Sequence, residues 1–367
     1  MKILQITLSL GTGGAERFAV DLCNRLAEIK DNEVILVTIL DENIPAKNRY
    51  SEDLSPKVRC VYLKCKTGLQ ARALWKITTI IREEQPDIVH SHFLALPLFL
   101  PSFIYSHCKF FQTIHTMAER EKKNLNIIKW LISKYLYVTN KVKPVTISHT
   151  CHNSYVKAYK LNNDVCIING RAALQITRNY HTIKKEIDDL KINDDTLVFI
   201  HVARHNQVKN HDRLFRTFLR LENEECNFIL IILGDNYGCW QDKLRSNSHI
   251  FLLGPKTNVG DYMAQADFFV LSSDVEGLPI TILEAMSMGV VPISTPAGGV
   301  VDVIEDRKNG YIAADFDDES FYQKIKQAIH EKGRISPEII KENYEKEFSI
   351  ETCATNYYNL YLNSLHV

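Results

Sequence analysis

Short β-branched apolar runs alternate with longer amphipathic segments along this chain, and the alternation happens twice. The first series has runs at 3–8, 34–40, 58–63, 88–91, 110–114 and 145–148, with helical spacing over 16–27 and 71–84. Strands that read as nearly continuous apolar runs, separated by helices, predict a parallel sheet covered on both faces. A polar stretch, HTIKKEIDDLKINDD at 181–195, interrupts the pattern, and a second series follows at 197–202, 228–233, 250–253, 268–271 and 291–294, with helices over 211–221 and 280–288. The fold class expected is therefore α/β, two Rossmann-like doubly wound domains facing across a cleft. The boundaries read as 1–168 for the first domain, 169–195 for a linker and 196–345 for the second domain. A helical tail at 346–367 either closes the second domain or crosses back to the first. A length of 367 residues suits two such domains, each able to bury its own core.

Composition removes several function classes. Lysine plus arginine equals aspartate plus glutamate, 44 of each, so no net field advertises nucleic acid. Nine cysteines, odd in number and without a Cys-x-x-Cys pair, suit a reducing compartment rather than a disulfide framework. Met1 runs directly into the strand pattern at 2–6, without the leader of a secreted protein. The most apolar stretch, 93–105, is broken by Pro97 and Pro101 and falls short of the roughly 20 residues a membrane span needs. A soluble or peripheral cytoplasmic protein is expected, on the inner face of the membrane if peripheral.

Open α/β sheets bind ligands beyond the carboxyl ends of their strands, so the informative residues are those just after strands. After the run at 268–271 comes Glu276-Gly277-Leu278-Pro279, with Pro279 read as the first residue of a helix to Met288. The free amides of Leu278, Ile280 and Thr281 would then form an anion site. Glu276 ahead of the helix and Glu284 within it would touch different parts of one elongated ligand. A phosphate between two hydroxyl-bearing rings fits, which is a nucleotide-sugar in outline. Each glutamate alone is equally explained as a helix-start acid or a solvated loop charge. After the run at 197–202, Arg204 and Lys209 can place a forked guanidinium and a compact ammonium on the same diphosphate, where they would stabilise a departing nucleoside diphosphate.

In the first half, Gly11-Thr12-Gly13-Gly14 joins a strand to a helix. It lacks the third glycine of a dinucleotide fingerprint, but Gly13 and Gly14 could floor a diphosphate. His115 follows the run at 110–114, while His90 and His92 end the strand before it. His115 could hydrogen-bond a substrate hydroxyl without acting as a base. No third ligand joins His90 and His92, so no metal site is expected, and Asp315-Phe316-Asp317 reads as a solvated loop.

The string Glu276-Gly277-Leu278-Pro279, Glu284-Ala285-Met286, Gly289, Pro292-Ile293, then Ala297-Gly298-Gly299 and Asn309-Gly310-Tyr311, resembles the Glu-x7-Glu motif of the retaining family 4 glycosyltransferases, which have the GT-B fold. Gly13-Gly14-Ala15-Glu16, the 86–92 segment, Arg204 with Lys209, the 251–254 segment and Ala266-Asp267 extend that resemblance over nearly the whole chain. It implies transfer from a nucleoside diphosphate sugar, UDP-linked in expectation, to a glycan or lipid-linked glycan in bacterial surface polysaccharide synthesis. The anomeric configuration would be retained, and neither a metal nor another cofactor required. The implied roles are Glu284 on ribose, Glu276 on the donor sugar with Gly277, Leu278, Pro279 and Ile280 around the phosphates, and Arg204 with Lys209 on the diphosphate. His115 would lie beside the donor sugar, and Gly13 and Gly14 would contact phosphate or acceptor. Ala203 stands where the family commonly has glycine, and Asn169-Gly170-Arg171-Ala172 departs from the usual Asn-Gly-aliphatic-Asp.

Two other readings belong to different classes: an NAD-dependent oxidoreductase built on the Gly11–Gly14 loop, and a catalytically silent partner in a glycan-assembly complex. A further expectation concerns 122–136, where Lys122, Lys123, Lys129 and Lys134 accompany Ile127, Ile128, Trp130, Leu131 and Leu136. The reading adopted is a core-facing helix with solvated lysines; the alternative is a helix lying on an anionic membrane.

Overall fold

The computed structural model describes residues 1–366 apart from 12, 42, 44–47, 66–69, 94–95, 106, 125 and 246. Thr12 of the glycine loop, and Leu94 and Ala95 of the apolar stretch, lie outside the described residues. The chain forms two compact units, residues 1–171 with 348–367, and residues 172–347. The polar 181–195 stretch lies in the second unit, and its first half belongs to the helix Tyr180–Asp188.

The first unit is a parallel sheet of β1 (Lys2–Thr7), β2 (Glu33–Leu40), β3 (Val58–Cys65), β4 (Ile88–Ser91), β5 (Lys109–Ile114), β6 (Lys143–Thr146) and β7 (Val165–Cys166), ordered β3-β2-β1-β4-β5-β6-β7. The second is a parallel sheet of β8 (Leu197–Val202), β9 (Phe228–Leu233), β10 (Ile250–Gly254), β11 (Phe268–Leu271), β12 (Val291–Ser294) and β13 (Tyr311–Ile312), ordered β10-β9-β8-β11-β12-β13. β2 and β9 are buried along nearly their whole length, as expected for strands covered on both faces. The helices obey the complementary rule: in His211–Asn223 the buried side chains include His211, Leu214, Phe215, Phe218 and Leu221, spaced three and four apart. In each sheet the strand order reverses once, between β1 and β4 and between β8 and β11, which is where such sheets place their ligands.

The tail does not stay with its sequence neighbours. Pro337–Asn343 belongs to the second unit, whereas Ile350–Leu365, capped by the Ser349 side chain on the Thr352 amide, belongs to the first. Arg171 secures that return. Its amide bonds Phe348 O (3.0 Å), its carbonyl accepts from the Ile350 amide (3.1 Å), and its guanidinium pairs with Asp21 at 2.5 Å in a nearly fully buried setting. This accounts for arginine in the departing Asn169-Gly170-Arg171-Ala172 segment: with Arg17, which meets the other carboxylate oxygen at 3.0 Å, it balances the charge of a buried aspartate on the helix Gly14–Leu26.

One carboxyl in this unit is held against its ordinary chemistry. Glu121, in the helix Ala118–Asn124, turns towards Tyr137 and Tyr159, and its Oε2 is enclosed with no hydrogen-bond partner among the described residues. Burial pushes its pKa up to about 8. The folded chain thus keeps a proton that the unfolded chain releases near pH 4.5, so stability falls by about 1.4 kcal/mol per pH unit between those values and levels off above pH 8. Glu121→Gln, isosteric and uncharged, is expected to stabilise the protein by about 3 kcal/mol at pH 7 and to have little effect at pH 4. Urea titration of both proteins at the two pH values checks this; an equal effect at both would refute it.

Candidate functional site

The glycine loop of the first unit is built differently from expectation. Gly13 caps the helix Gly14–Leu26 with φ −103° and ψ 158°, extended backbone open to any residue, so the loop does not need glycine for a left-handed turn there. A Cβ on Gly13 would come within 1.9 Å of Glu16 Oε2, the far end of a side chain that can shift, so the contact marks where the carboxylate lies rather than a need for glycine. Glu16, at the third helical position, folds back over the helix start in the manner of a capping-box acid. A carboxylate lying there opposes a diphosphate on Gly13 and Gly14. It suits a ligand that donates hydroxyl protons.

His115 stands one residue past β5 and is partly exposed. Behind it runs a chain of hydrogen bonds that sequence reasoning did not find. His115 Nε2 meets His92 Nδ1 at 3.2 Å, His92 Nε2 meets Gln5 Oε1 at 2.8 Å, and Gln5 Nε2 donates to Tyr361 Oη at 3.1 Å. His90 lies between Tyr361 Oη, on Nδ1, and Thr113 Oγ1, 2.8 Å from Nε2, so the His-x-His pair is fully engaged inside the protein. The amide oxygen of Gln5 can only accept, which places the His92 proton on Nε2 and leaves Nδ1 to accept from His115 Nε2. His115 then presents its Nδ1 as a neutral acceptor. Burial, with Phe18 edge-on to both rings, pulls His92 well below the ordinary imidazole range and His115 down to about 3.

The second unit gathers the other candidates at its strand-order reversal. Between β8 and the helix His211–Asn223, the turn Gln207–Lys209 is framed by two asparagines: Asn206 Oδ1 accepts from the Val208 amide, and Asn210, at φ 45°, accepts from the Arg213 amide. Ser272 Oγ at the end of β11 donates to the carbonyls of Lys209 (2.9 Å) and Asn210 (3.1 Å), and the Asp274 amide donates to Val208 O (2.8 Å). Arg213, itself buried, bonds Ser272 O and Asp274 Oδ1. The two strand-end loops are thereby locked together, and Lys209 Nζ meets Glu276 Oε1 at 2.7 Å. Sequence reasoning had assigned these residues to phosphate and sugar separately; the structure pairs them. The asparagines at the turn ends were the available signal, but their Ser272 and Asp274 partners lie some 60 residues away. Arg204 is exposed and has no ion pair among the described residues.

The glycine pair at 298–299 supports the same loop. Gly298 has φ +55°, and a Cβ there would stand 1.9 Å from Glu276 O; the Gly299 amide donates to Gly277 O at 2.8 Å. The position of Gly298 demands a bare backbone, which explains that glycine after β12.

Pro279 is not the first helical residue as expected. At ψ 114° it is the cap, and the helix runs Ile280–Ser287 with Met288 beyond its end. The unclaimed helix-start amides are therefore those of Ile280 and Thr281, since the Ile282 amide already bonds Pro279 O at 3.2 Å. Leu278 is buried beside them and lies outside the helix, as does Gly277. Two hydroxyls, Thr281 Oγ1 and Ser273 Oγ, are enclosed here without partners among the described residues. Glu284 lies in the second turn, 8% exposed. Below the site His201 donates from Nδ1 to Val270 O (2.8 Å) and its Nε2 faces His211 Nε2 (3.1 Å), a neutral pair whose burial pulls both rings down, His201 to about 4. Among the described residues no group of three or more His, Cys, Asp or Glu side chains could hold a metal ion.

The pattern of sheets and loops has counterparts. Residues 12–170 match the family described as Glycosyltransferase Family 4, and residues 182–347 match Glycosyl transferases group 1. N-acetyl-alpha-D-glucosaminyl L-malate synthase of Bacillus anthracis is 24% identical over 307 residues, covering 79% of this chain and 78% of that enzyme. An uncharacterized glycosyltransferase of Methanocaldococcus jannaschii is 27% identical over 238 residues, covering 60% of this chain and 58% of that protein. Among solved structures, Anabaena HepE in complex with UDP and glucose superposes with a TM-score of 0.78 at 16% identity, covering 99% of this chain and all of that one. The lipopolysaccharide outer core galactosyltransferase WaaB superposes at 0.72 with 18% identity, covering 99% of each chain. With family matches reaching from residue 12 to residue 347, and two parallel-sheet units shared with GT-B enzymes, this chain belongs to the family 4 glycosyltransferases.

Proposed function

We propose that the protein transfers a sugar from a UDP-sugar, with retention of anomeric configuration and without a metal, to a hydroxyl of a glycan or lipid-linked glycan in bacterial surface polysaccharide synthesis. The observation that carries this reading is the Lys209–Glu276 pair, 2.7 Å apart and held at a helix start with two unclaimed amides and an unpartnered threonine hydroxyl. A cation and a carboxylate on one spot suit a ligand in which anionic oxygens adjoin hydroxyl groups. Phosphate oxygens would take Lys209, Arg204 and the amides of Ile280 and Thr281, while sugar hydroxyls would donate to Glu276 and ribose hydroxyls to Glu284. His115 Nδ1 would accept from a hydroxyl of the donor sugar, and Glu16 over Gly13 and Gly14 from the acceptor.

In the step itself the bond from the anomeric carbon to the diphosphate oxygen breaks, and its electron pair leaves with UDP. The acceptor oxygen bonds the same face of that carbon, and its proton passes to the departing phosphate oxygen. Arg204 and Lys209 stabilise the charge that builds there. No side chain need act as nucleophile. The UDP and glucose bound to HepE, and the sugar-transfer activities in the names of the relatives, support this reading.

Thermal shifts with UDP, GDP, ADP and their sugars, followed by NMR assignment of the product anomer, form the test. Stabilisation by UDP and an axial-to-axial or equatorial-to-equatorial outcome are expected. Binding of NADH without any nucleoside diphosphate would overturn the reading, and nucleotide binding with neither hydrolysis nor transfer would make the protein a silent partner.

A further inference from the structure

The helix Ile127–Val138 turns only some of its apolar residues inward: Leu136 and Tyr137 join the core and Trp130 and Ile132 pack against it, but a second apolar face is left outside. Its buried side chains are Ser133, Leu136 and Tyr137, whereas Ile127 (63%), Ile128 (63%), Leu131 (53%), Tyr135 (57%) and Val138 (52%) are exposed. Ile128, Leu131, Tyr135 and Val138 are spaced three, four and three apart, so they form one stripe on one face. The turn Leu96–Phe99 packs against this helix, and the residue that follows it, Leu100, is exposed as well. A single exposed leucine is ordinary, but five large apolar side chains on one helix face are not.

Charge decides what covers that face. The chain as a whole is neutral, yet residues 118–143 hold seven lysines and arginines against two glutamates, and one of those, Glu121, is turned inward. Lys122 and Lys134 hold their ammoniums over the Trp130 ring, 4.6 and 5.3 Å from its centre, which keeps both charges close to the stripe. Lys129 lies on the same helix, and Lys123 is exposed on the preceding one. A helix with an apolar stripe bordered by lysines fits the boundary of an anionic bilayer, the apolar side chains entering the acyl region and the ammoniums meeting phosphate. No helix among the described residues is long and apolar enough to cross a membrane, so this contact is one of lying on the surface.

We propose that Ile127–Val138, with Lys122 and Lys123, is a docking surface for an anionic lipid bilayer. Under the proposed function it would bring the first unit to a lipid-linked acceptor, but the test needs no sugar. The full chain is floated with phosphatidylglycerol-containing vesicles and with pure phosphatidylcholine vesicles. Binding to the anionic vesicles alone, weakened by salt and at least about tenfold by Ile128→Glu with Leu131→Glu and by Lys129→Glu with Lys134→Glu, is expected. The four positions are not core residues, and unchanged thermal unfolding of each variant confirms that the fold is kept. Absence of binding to anionic vesicles, or equal binding by the variants, overturns the proposal. So does a wild-type dimer that Ile128→Glu with Leu131→Glu converts to a monomer, which would assign the face to a second copy of the chain. Transfer to a water-soluble acceptor is unaffected by failure here, so the two readings fail separately.

Discussion

Acidification from pH 7 to pH 4 will unfold the first unit well before its carboxylates are fully protonated. His90 and His115 are pulled down to about 3 and His92 lies well below its ordinary value, all three by burial. In the unfolded chain each ring takes a proton near pH 6.5, while in the folded unit none does until far lower. Their full contribution to stability is therefore present above pH 6.5 and is lost as pH falls towards 3, at about 1.4 kcal/mol per unit for each ring, or roughly 4 kcal/mol per unit together. Glu121 acts in the opposite sense, recovering about 1.4 kcal/mol per unit down to pH 4.5. The net loss of roughly 3 kcal/mol per unit exhausts an ordinary domain stability of about 5–15 kcal/mol within a few units. Near-ultraviolet circular dichroism against pH will show the transition, and NMR of the imidazole carbons will show the three rings untitrated until it occurs. Titration of these rings near 6.5 in a still-folded protein would contradict the account.

The Lys209–Glu276 pair has an asymmetric genetics. Under the proposed function, Lys209→Ala is expected to lower transfer by about a thousandfold, some 4 kcal/mol, because it would remove the charge facing the leaving diphosphate and leave the Glu276 carboxylate to repel it. Glu276→Gln should lower turnover comparably while leaving UDP affinity intact or improved, since the retained cation loses its internal competitor. The double variant then separates the roles: UDP affinity recovers part of what Lys209→Ala lost, but turnover does not. Calorimetry with UDP and steady-state rates for the four proteins complete the cycle. Additive losses in both quantities would mean that the two side chains do not share a ligand. The loop should survive each change, because it is held by Ser272, Asp274, Arg213 and Gly298 rather than by the pair itself.

What could be read in the sequence follows from the range of the interactions. β2 and β9 were visible because a strand buried on both faces has to be apolar throughout, and the site loops because they follow such strands. β7 and β13, two residues each at the sheet edges, leave no periodic trace. Gly298 could be read as a special backbone position, but its contact with Glu276 O could not. The same holds for Arg171 against Asp21, 150 residues apart, and for Gln5 with Tyr361, 356 apart: local periodicity carries no information about such partners. The 122–136 segment, expected as one core-facing helix, is two helices, Ala118–Asn124 and Ile127–Val138, and the second meets the core through Leu136 and Tyr137 while its other apolar face stays exposed; its apolar residues occupy more than one face, and only packing shows which is covered.

The return of Ile350–Leu365 to the first unit sets an order of events in the cell. Tyr357 and Tyr361 sit with no exposure, bonded to Thr113, Gln5 and His90, so the interior of the first unit is closed by side chains that come after the whole second unit in sequence. During synthesis the second unit can finish while the first is still open. The imidazoles of His90, His92 and His115 thus stay without their tyrosine cover until the whole of 172–347 has been made and Ile350–Leu365 follows it.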